Sequence, residues 1–287
     1  MTPITLTTID RTIEAATHSG ALQSIHTERT VLEQAGIAFL VRWVSSLAVK
    51  DASRVNAAAR RDPDFNPFLP PERDLTVASL GPHHLAVLNK YPVIARHLLI
   101  VTREFEDQTT PLGEADFTAL GCVIGGLGGL GFYNGGLQAG ASQRHKHLQW
   151  IPDASEGIRL ETFTRALPRH HPVSTPAHHP ALPWRHCFVR MPDVIGAPGD
   201  AARRLFEAFR CACTSLGIDP YSNPMPPFNM LTDGTWMVVI PRSRERHAEI
   251  SVNALGFAGS LFVRHPEQIE TVRQLGPLRL LAEVACR

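Results

Sequence analysis

Nine glycines lie between Gly121 and Gly140, and they deliver the chain to two histidines set two residues apart, in His145-Lys146-His147-Leu148-Gln149. Side chains two apart share one face of a β-strand. On a strand, His145, His147 and Gln149 therefore fall on one side, with Lys146 and Leu148 on the other. Runs this rich in glycine mark tight turns and close backbone approach. The segment reads as strand, glycine-rich turn, strand, with Phe132 to Asn134 leading in and His147 to Ile151 leading out. Ser142 adds a hydroxyl before the histidines, and Gln149 adds an amide after them. An imidazole, a partner to orient it and neutral donors for oxygen are what attack on a phosphorus atom needs.

The surrounding pattern is that of an α+β fold. Phe117, Leu120, Ile124 and Leu127 recur at helical spacing and predict a helix over about 113–128. Ile37 to Leu47 is apolar and branched and reads as a buried strand; His84 to Leu88 and His97 to Thr102 read as two more. Residues 1–34 read as helical, with a cap at Thr27 ahead of Glu28 to Gln34. Pro63, Pro67, Pro70 and Pro71 punctuate a long surface loop over 50–75. Further on, Cys187 to Arg190 reads as a strand, followed by a helix with Asp200 as N-cap and Gly217 as C′ residue. Phe228 to Leu231 and Trp236 to Ile240 pair around Asp233-Gly234, a strong hairpin signal. Strands, one helix, then strands predict an antiparallel sheet flanked by helices. The expected organisation is one catalytic unit over 1–287. Its N-terminal half runs to about residue 166, a mobile connector with five prolines covers 167–184, and the C-terminal half covers 185–287.

The histidine segment resembles the histidine-triad superfamily in its transferase branch, where the motif reads His-x-His-x-Gln. The spacing from Asn134 to Ser142 to His147 is also similar to that of galactose-1-phosphate uridylyltransferases. Asn89-Lys90-Tyr91-Pro92, the run His97 to Phe105, Pro241 to Glu245 and Asn253 to Ser260 resemble the ATP adenylyltransferases, the diadenosine tetraphosphate (Ap4A) phosphorylases. The resemblance spans roughly residues 35 to 265. It implies a HIT-like, galactose-1-phosphate uridylyltransferase-like α+β fold. It also implies phosphorolysis of Ap4A to ATP and ADP through a nucleotidyl-His147 intermediate. Nε2 of His147 must then be unprotonated, with the proton on Nδ1. His145 would orient the site or hydrogen-bond the phosphate. Gly140, Ala141 and Ser142 would cradle phosphates, with Gln143 and Asn134 beside them. Lys50 would neutralise polyphosphate charge by the family pattern, with Arg144 and Lys146 as further candidates, and Asn229 and Thr232 would reach the polyphosphate. Gln149 stands where the hydrolase branch has a third histidine. It cannot ionise, so transfer is favoured over hydrolysis. The implied partners are Ap4A, ATP, ADP and phosphate, with a magnesium ion carried by the polyphosphate and no organic cofactor. The same chemistry with sulfate as acceptor, an ADP-sulfurylase, stays open, as does a non-catalytic sensor of dinucleotide polyphosphates.

Composition bounds the rest. A net charge of +1 argues against a general nucleic-acid binder. Five cysteines without paired spacing argue against a disulfide framework and for a reducing cytoplasm. The N-terminus carries Asp10 and Glu14 rather than a signal peptide, and no apolar stretch approaches the ~20 residues of a membrane span. A metal held by His145 and His147 lacks a third ligand nearby in sequence. Gly126 to Gly131 matches GxGxxG but closes a helical pattern, so it reads as a helix end with close packing. Cys211 and Cys213 read as core, and the doubled histidines at 170 and 178 as solvated. Asn66-Pro67-Phe68 is expected to pack near the nucleotide or act as its lid. Arg242, Arg244 and Arg246 are either a solvated turn or a help to distal phosphates.

Overall fold

The computed structural model describes residues 4–25, 27–44, 65–153, 157–168 and 170–287. Helix α1 (Leu6–Ser19) precedes a hairpin of β1 (Thr27–Gln34) and β2 (Ile37–Val44). Strands β3 (Thr76–Leu80), β4 (His84–Leu88) and β5 (Leu98–Thr102) lead to α2 (Glu114–Leu127), then β6 (Leu130–Gly135) and β7 (His147–Ile151). A short α3 (Glu161–Thr164) is followed by β8 (Pro176–Ala177), β9 (Cys187–Arg190) and α4 (Pro198–Ser215). Strands β10 (Phe228–Thr232) and β11 (Trp236–Pro241) come next, then the small β12 (Arg246–His247) and β13 (Ile250–Ser251). Strand β14 (Ser260–Val263), α5 (Glu267–Leu275) and α6 (Pro277–Val284) complete the chain.

Nine strands form one sheet in the order β3-β4-β5-β7-β6-β10-β11-β9-β8, and every pairing in it is antiparallel. Pairing of β6 with β10 joins the two halves of the chain into one surface. Alternation along β7 then decides what each face does. Leu148 and Trp150 enter a core shared with residues of α1, α2 and α4. His147, Gln149 and Ile151 face the other way, toward the layer built by β1, β2, β14 and the turn over 254–258. Helices α2 and α4 cross at Gly121, where a Cβ would lie 2.8 Å from the backbone nitrogen of Ala202; only glycine allows that approach.

Several expectations are corrected. Thr27 to Gln34 is a strand, not a capped helix. Ala35 and Gly36 adopt φ of 52° and 75°, which makes a two-residue turn that sets Gln34 opposite Ile37. The helix lies earlier, capped by Thr5, whose hydroxyl accepts from the Thr8 N–H at 3.1 Å. In strand β2, Ile37, Phe39, Val41 and Arg42 are buried while Ala38 is exposed, so the strand is not buried throughout, and residues 45–47 lie outside the described residues. Helix α4 starts after Ala197 with Pro198 in its first turn, and Asp200 lies in that first turn rather than at the cap, paired with Arg204 at 3.0 Å. Gly217 is the left-handed C′ residue, at φ 65°. The described part of the connector over 167–184 is folded onto the sheet edge: β8 pairs with β9, and Ala177, His179, Leu182 and Trp184 are buried. His179 is tied to His186 through its own N–H at 2.9 Å, so it is not solvated. In the stretch over 50–75, the described part is not simply surface, since Phe68 is buried. The hairpin loop is four residues long, Thr232 facing Met237, and Asp233 Oδ1 accepts from the N–H groups of Thr235 and Trp236. Gly128 ends α2, as the helix-end reading of the glycine run requires.

Candidate active site

His147 opens β7, and its neighbours leave it one protonation pattern. Its backbone N–H donates to Gln108 Oε1 at 2.8 Å, and Gln108 Nε2 donates back to the carbonyls of Asn134 (2.9 Å) and His147 (3.2 Å). Gln108 thereby clamps the start of β7 to β6. His147 Nδ1 lies 2.8 Å from the carbonyl of His145. A carbonyl only accepts, so the ring proton sits on Nδ1 and Nε2 keeps its lone pair. Burial pulls this imidazole down to about 4 against the opposing effect of the carbonyl, so it is neutral at physiological pH.

His145 is buried two residues before the strand, and protein occupies both its ring nitrogens. Nε2 donates to the Thr102 carbonyl at 2.8 Å, and Nδ1 lies 2.9 Å from Asn66 Nδ2. His145 has no nitrogen left for a phosphate. The Phe68 ring centre lies 5.5 Å from both imidazoles. Asn66-Pro67-Phe68 thus packs on the histidine pair.

A cavity of about 400 Å³ opens in front of His147, a size suited to a nucleotide. Its polar wall holds Asn134, Gly140, Ser142, Gln143, His147 and Gln149; its apolar side holds Leu75, Val87, Ile94, Phe132 and Phe262. Asn134 Oδ1 accepts from Asn229 Nδ2 and from the Ala254 N–H, both at 2.9 Å. Gln149 Oε1 accepts from His97 Nε2 at 3.0 Å. Among the described residues, both amides spend their oxygens on protein and leave their NH2 groups without a protein partner. Gly140, at φ 88°, lets the turn press against the segment that follows β13; a Cβ there would lie 2.7 Å from the Val252 carbonyl oxygen.

Other expected residues fall elsewhere. Ala141 is buried and off the lining. Asn229 is fully buried, with its Nδ2 also donating to the Ala139 carbonyl at 2.9 Å and its Oδ1 accepting from Arg242. It props the glycine turn from behind and does not reach a phosphate. Thr232 is buried with its hydroxyl accepting from the Gly234 N–H, away from the cavity lining. Lys146 points to the opposite face, as strand alternation demands, and its Nζ meets Asp116 at 2.8 Å and Glu106 at 3.1 Å. Arg144 is exposed beside Asp107. Arg242 is neither solvated nor turned to phosphate. It is buried, donates to the carbonyls of Val284, Arg244 and Val252, and lies 5.5 Å from the Phe257 ring centre. Arg244 and Arg246 are exposed. Lys50 lies outside the described residues. Among the described residues the cation that lines the cavity is Lys90, paired with Glu72 at 2.6 Å.

Known proteins share this architecture. Residues 1–163 match the Ap4A phosphorylase N-terminal domain, and residues 180–287 match the ATP adenylyltransferase C-terminal domain. The chain belongs to the Ap4A phosphorylase family. Over 91% of its length it is 25% identical to diadenosine 5',5'''-P1,P4-tetraphosphate phosphorylase 2 of Saccharomyces cerevisiae, covering 87% of that protein. It is 24% identical to Protein APA1 of the same yeast over the same shares. The crystal structure of yeast Ap4A phosphorylase Apa2 matches with a TM-score of 0.77 at 22% identity, covering 97% of this chain and 96% of that one. The Apa2 structure in complex with Ap4A gives 0.76 at 23%. In this member of the Ap4A phosphorylase family, sequence reasoning passed over Asn89, His97 and Gln108 as site residues. Asn89 and His97 stand in blocks that carry the resemblance, which was the available signal. Gln108 carried none, because its partners lie 26 and 39 residues away.

Proposed function

We propose that this chain is an Ap4A phosphorylase, working through a covalent adenylyl-His147 intermediate. The observation that carries the proposal is the bare Nε2 of a buried, neutral His147 facing a nucleotide-sized cavity. Nε2 attacks the α-phosphorus of one adenosine; the N–P bond forms, the bond to the bridging oxygen breaks, and ATP leaves. Nδ1 keeps its proton and donates it to the His145 carbonyl, which steadies the cationic ring. Inorganic phosphate then attacks the same phosphorus, frees His147 and yields ADP. Asn134 and Gln149 offer NH2 groups to the oxygens where charge builds. Gln149 cannot take a proton from an arriving water, so the intermediate waits for an anionic acceptor.

A magnesium ion riding on the polyphosphate belongs to this proposal. Among the described lining residues the carboxylate is Glu72, already held by Lys90, so in this proposal the oxygens around the ion come from the phosphates. The five cysteines are free, which supports a reducing cytoplasm as the place of action. No helix among the described residues is long and apolar enough to cross a membrane. The test is intact mass after mixing with Ap4A in the absence of phosphate. One adenylyl group should appear on the peptide carrying His147. Phosphate-dependent turnover with no such adduct, even at millisecond quench times, sinks the covalent route.

A further inference from the structure

Gln149 helps a phosphoryl group only if its NH2, and not its oxygen, faces the cavity. A side-chain amide fits either way round, so something must choose. The choice traces back to a backbone amide, which can only donate. The Tyr91 N–H donates to Asn89 Oδ1 at 3.2 Å. Asn89 Nδ2 is left to face His97 Nδ1 at 3.1 Å. That nitrogen must accept, so the ring proton sits on Nε2, 3.0 Å from Gln149 Oε1. The Gln149 NH2 is thereby turned outward. The chain of bonds runs one way because its first donor cannot reverse.

The same device occurs a second time in this site. The Phe68 N–H donates to Asn66 Oδ1 at 3.0 Å, and Asn66 Nδ2 lies 2.9 Å from His145 Nδ1. His145 then carries its proton on Nε2 and donates to the Thr102 carbonyl. In both places an Asn-x-aromatic turn, with its amide oxygen bound two residues on, sets a histidine tautomer.

We infer that Asn89 and His97 are positioning residues that act through Gln149, fixing it as a donor to the transferred phosphoryl oxygens. This rests on the phosphorolysis reading above. His97 is surrounded by Gln149 on β7, Asn89 on the β4–β5 connection and Phe132 on β6, with ring centres 5.8 Å apart. His147 is the titratable group that bears on it, and burial above all holds it near 4. Lys90 and Glu72, also on the cavity wall, pair with each other.

Asn89→Asp tests the inference, because a carboxylate offers His97 Nδ1 an acceptor only. At low pH the ring protonates, keeps its Nε2–H and holds Gln149 as before. As pH rises the ring loses that proton from Nε2, and Gln149 turns its oxygen toward the phosphate. The expected result is kcat close to wild type at the acid end and a fall of roughly a hundredfold at the alkaline end. KM for Ap4A should change little. A profile parallel to that of the wild-type enzyme would overturn the inference. Should Asn89→Asp not fold, long-range 1H–15N spectra of the wild-type protein labelled at histidine decide the matter. A proton on His97 Nε2 is expected, and one on Nδ1 overturns the inference. Absence of phosphate-dependent turnover in the wild type would fail the functional reading instead, and the spectrum would still report the tautomer.

Discussion

The carbonyl of His145, 2.8 Å from His147 Nδ1, decides what the neighbouring imidazole can do. It anchors the ring proton and so exposes the other nitrogen, and burial keeps that nitrogen bare. His147→Ala should therefore lower phosphorolysis of Ap4A by roughly four orders of magnitude or more. A steady-state rate within tenfold of wild type would sink the nucleophile. The pH dependence has a definite sign. Nε2 acts only when unprotonated, and burial has moved its protonation down to about 4. Activity should hold through neutral pH and fall only as pH drops toward that value. An acid limb centred near 6.5, the ordinary histidine value, would contradict the burial argument. In the proposed mechanism Gln149 sets the acceptor. Gln149→His restores an ionisable group there and should raise AMP relative to ADP among the products; an unchanged ratio on chromatography would remove the argument from that position.

Among the elements, the glycine turn and the strand behind it hold the site's shape. Arg242 and Asn229 brace that turn, Arg242 by bonds to the last helix and to the 244–252 segment, Asn229 by bonds to Asn134 and Ala139. Arg242→Met strands several buried oxygens and should cost about 3–5 kcal/mol, read from urea unfolding; a loss below about 1 kcal/mol would show the brace is idle. What the sequence revealed and what it hid divide along physical lines. The alternation of His147, Leu148 and Gln149, the stripe of α2 and the Asp233-Gly234 hairpin are local patterns, and each forms where its residues predict. Thr27 to Gln34 misled because its turn is Ala35-Gly36 rather than an Asn-Gly or Asp-Gly pair, and because pairing with β2, not local propensity, holds it extended. The roles of Asn229 and Arg242 were hidden because they depend on partners such as Ala139, 90 and 103 residues away. Lys146 was legible in principle, since strand alternation already placed it opposite the histidines.

Over the whole molecule, one antiparallel sheet joins the two halves, and its cavity draws walls from residues as far apart as Phe65 and Phe262. That assembly buries histidines that an unfolded chain would leave in water. His97, His147 and His186 are each held near 4, chiefly by burial, against an ordinary 6.5. Below pH 6.5 the unfolded chain takes up protons that the folded one refuses. Their stabilising effect is therefore complete above 6.5 and declines as pH falls toward 4, by up to roughly 1.4 kcal/mol per pH unit for each histidine. The thermal midpoint should drop clearly between pH 7 and pH 5; a constant midpoint would contradict the burial of neutral rings. The central claim is chemical, and the most direct test is chromatography of the products formed from Ap4A with and without inorganic phosphate. ATP and ADP appearing only when phosphate is present is the result this account predicts. ATP and AMP formed without phosphate would make the protein a hydrolase and contradict it.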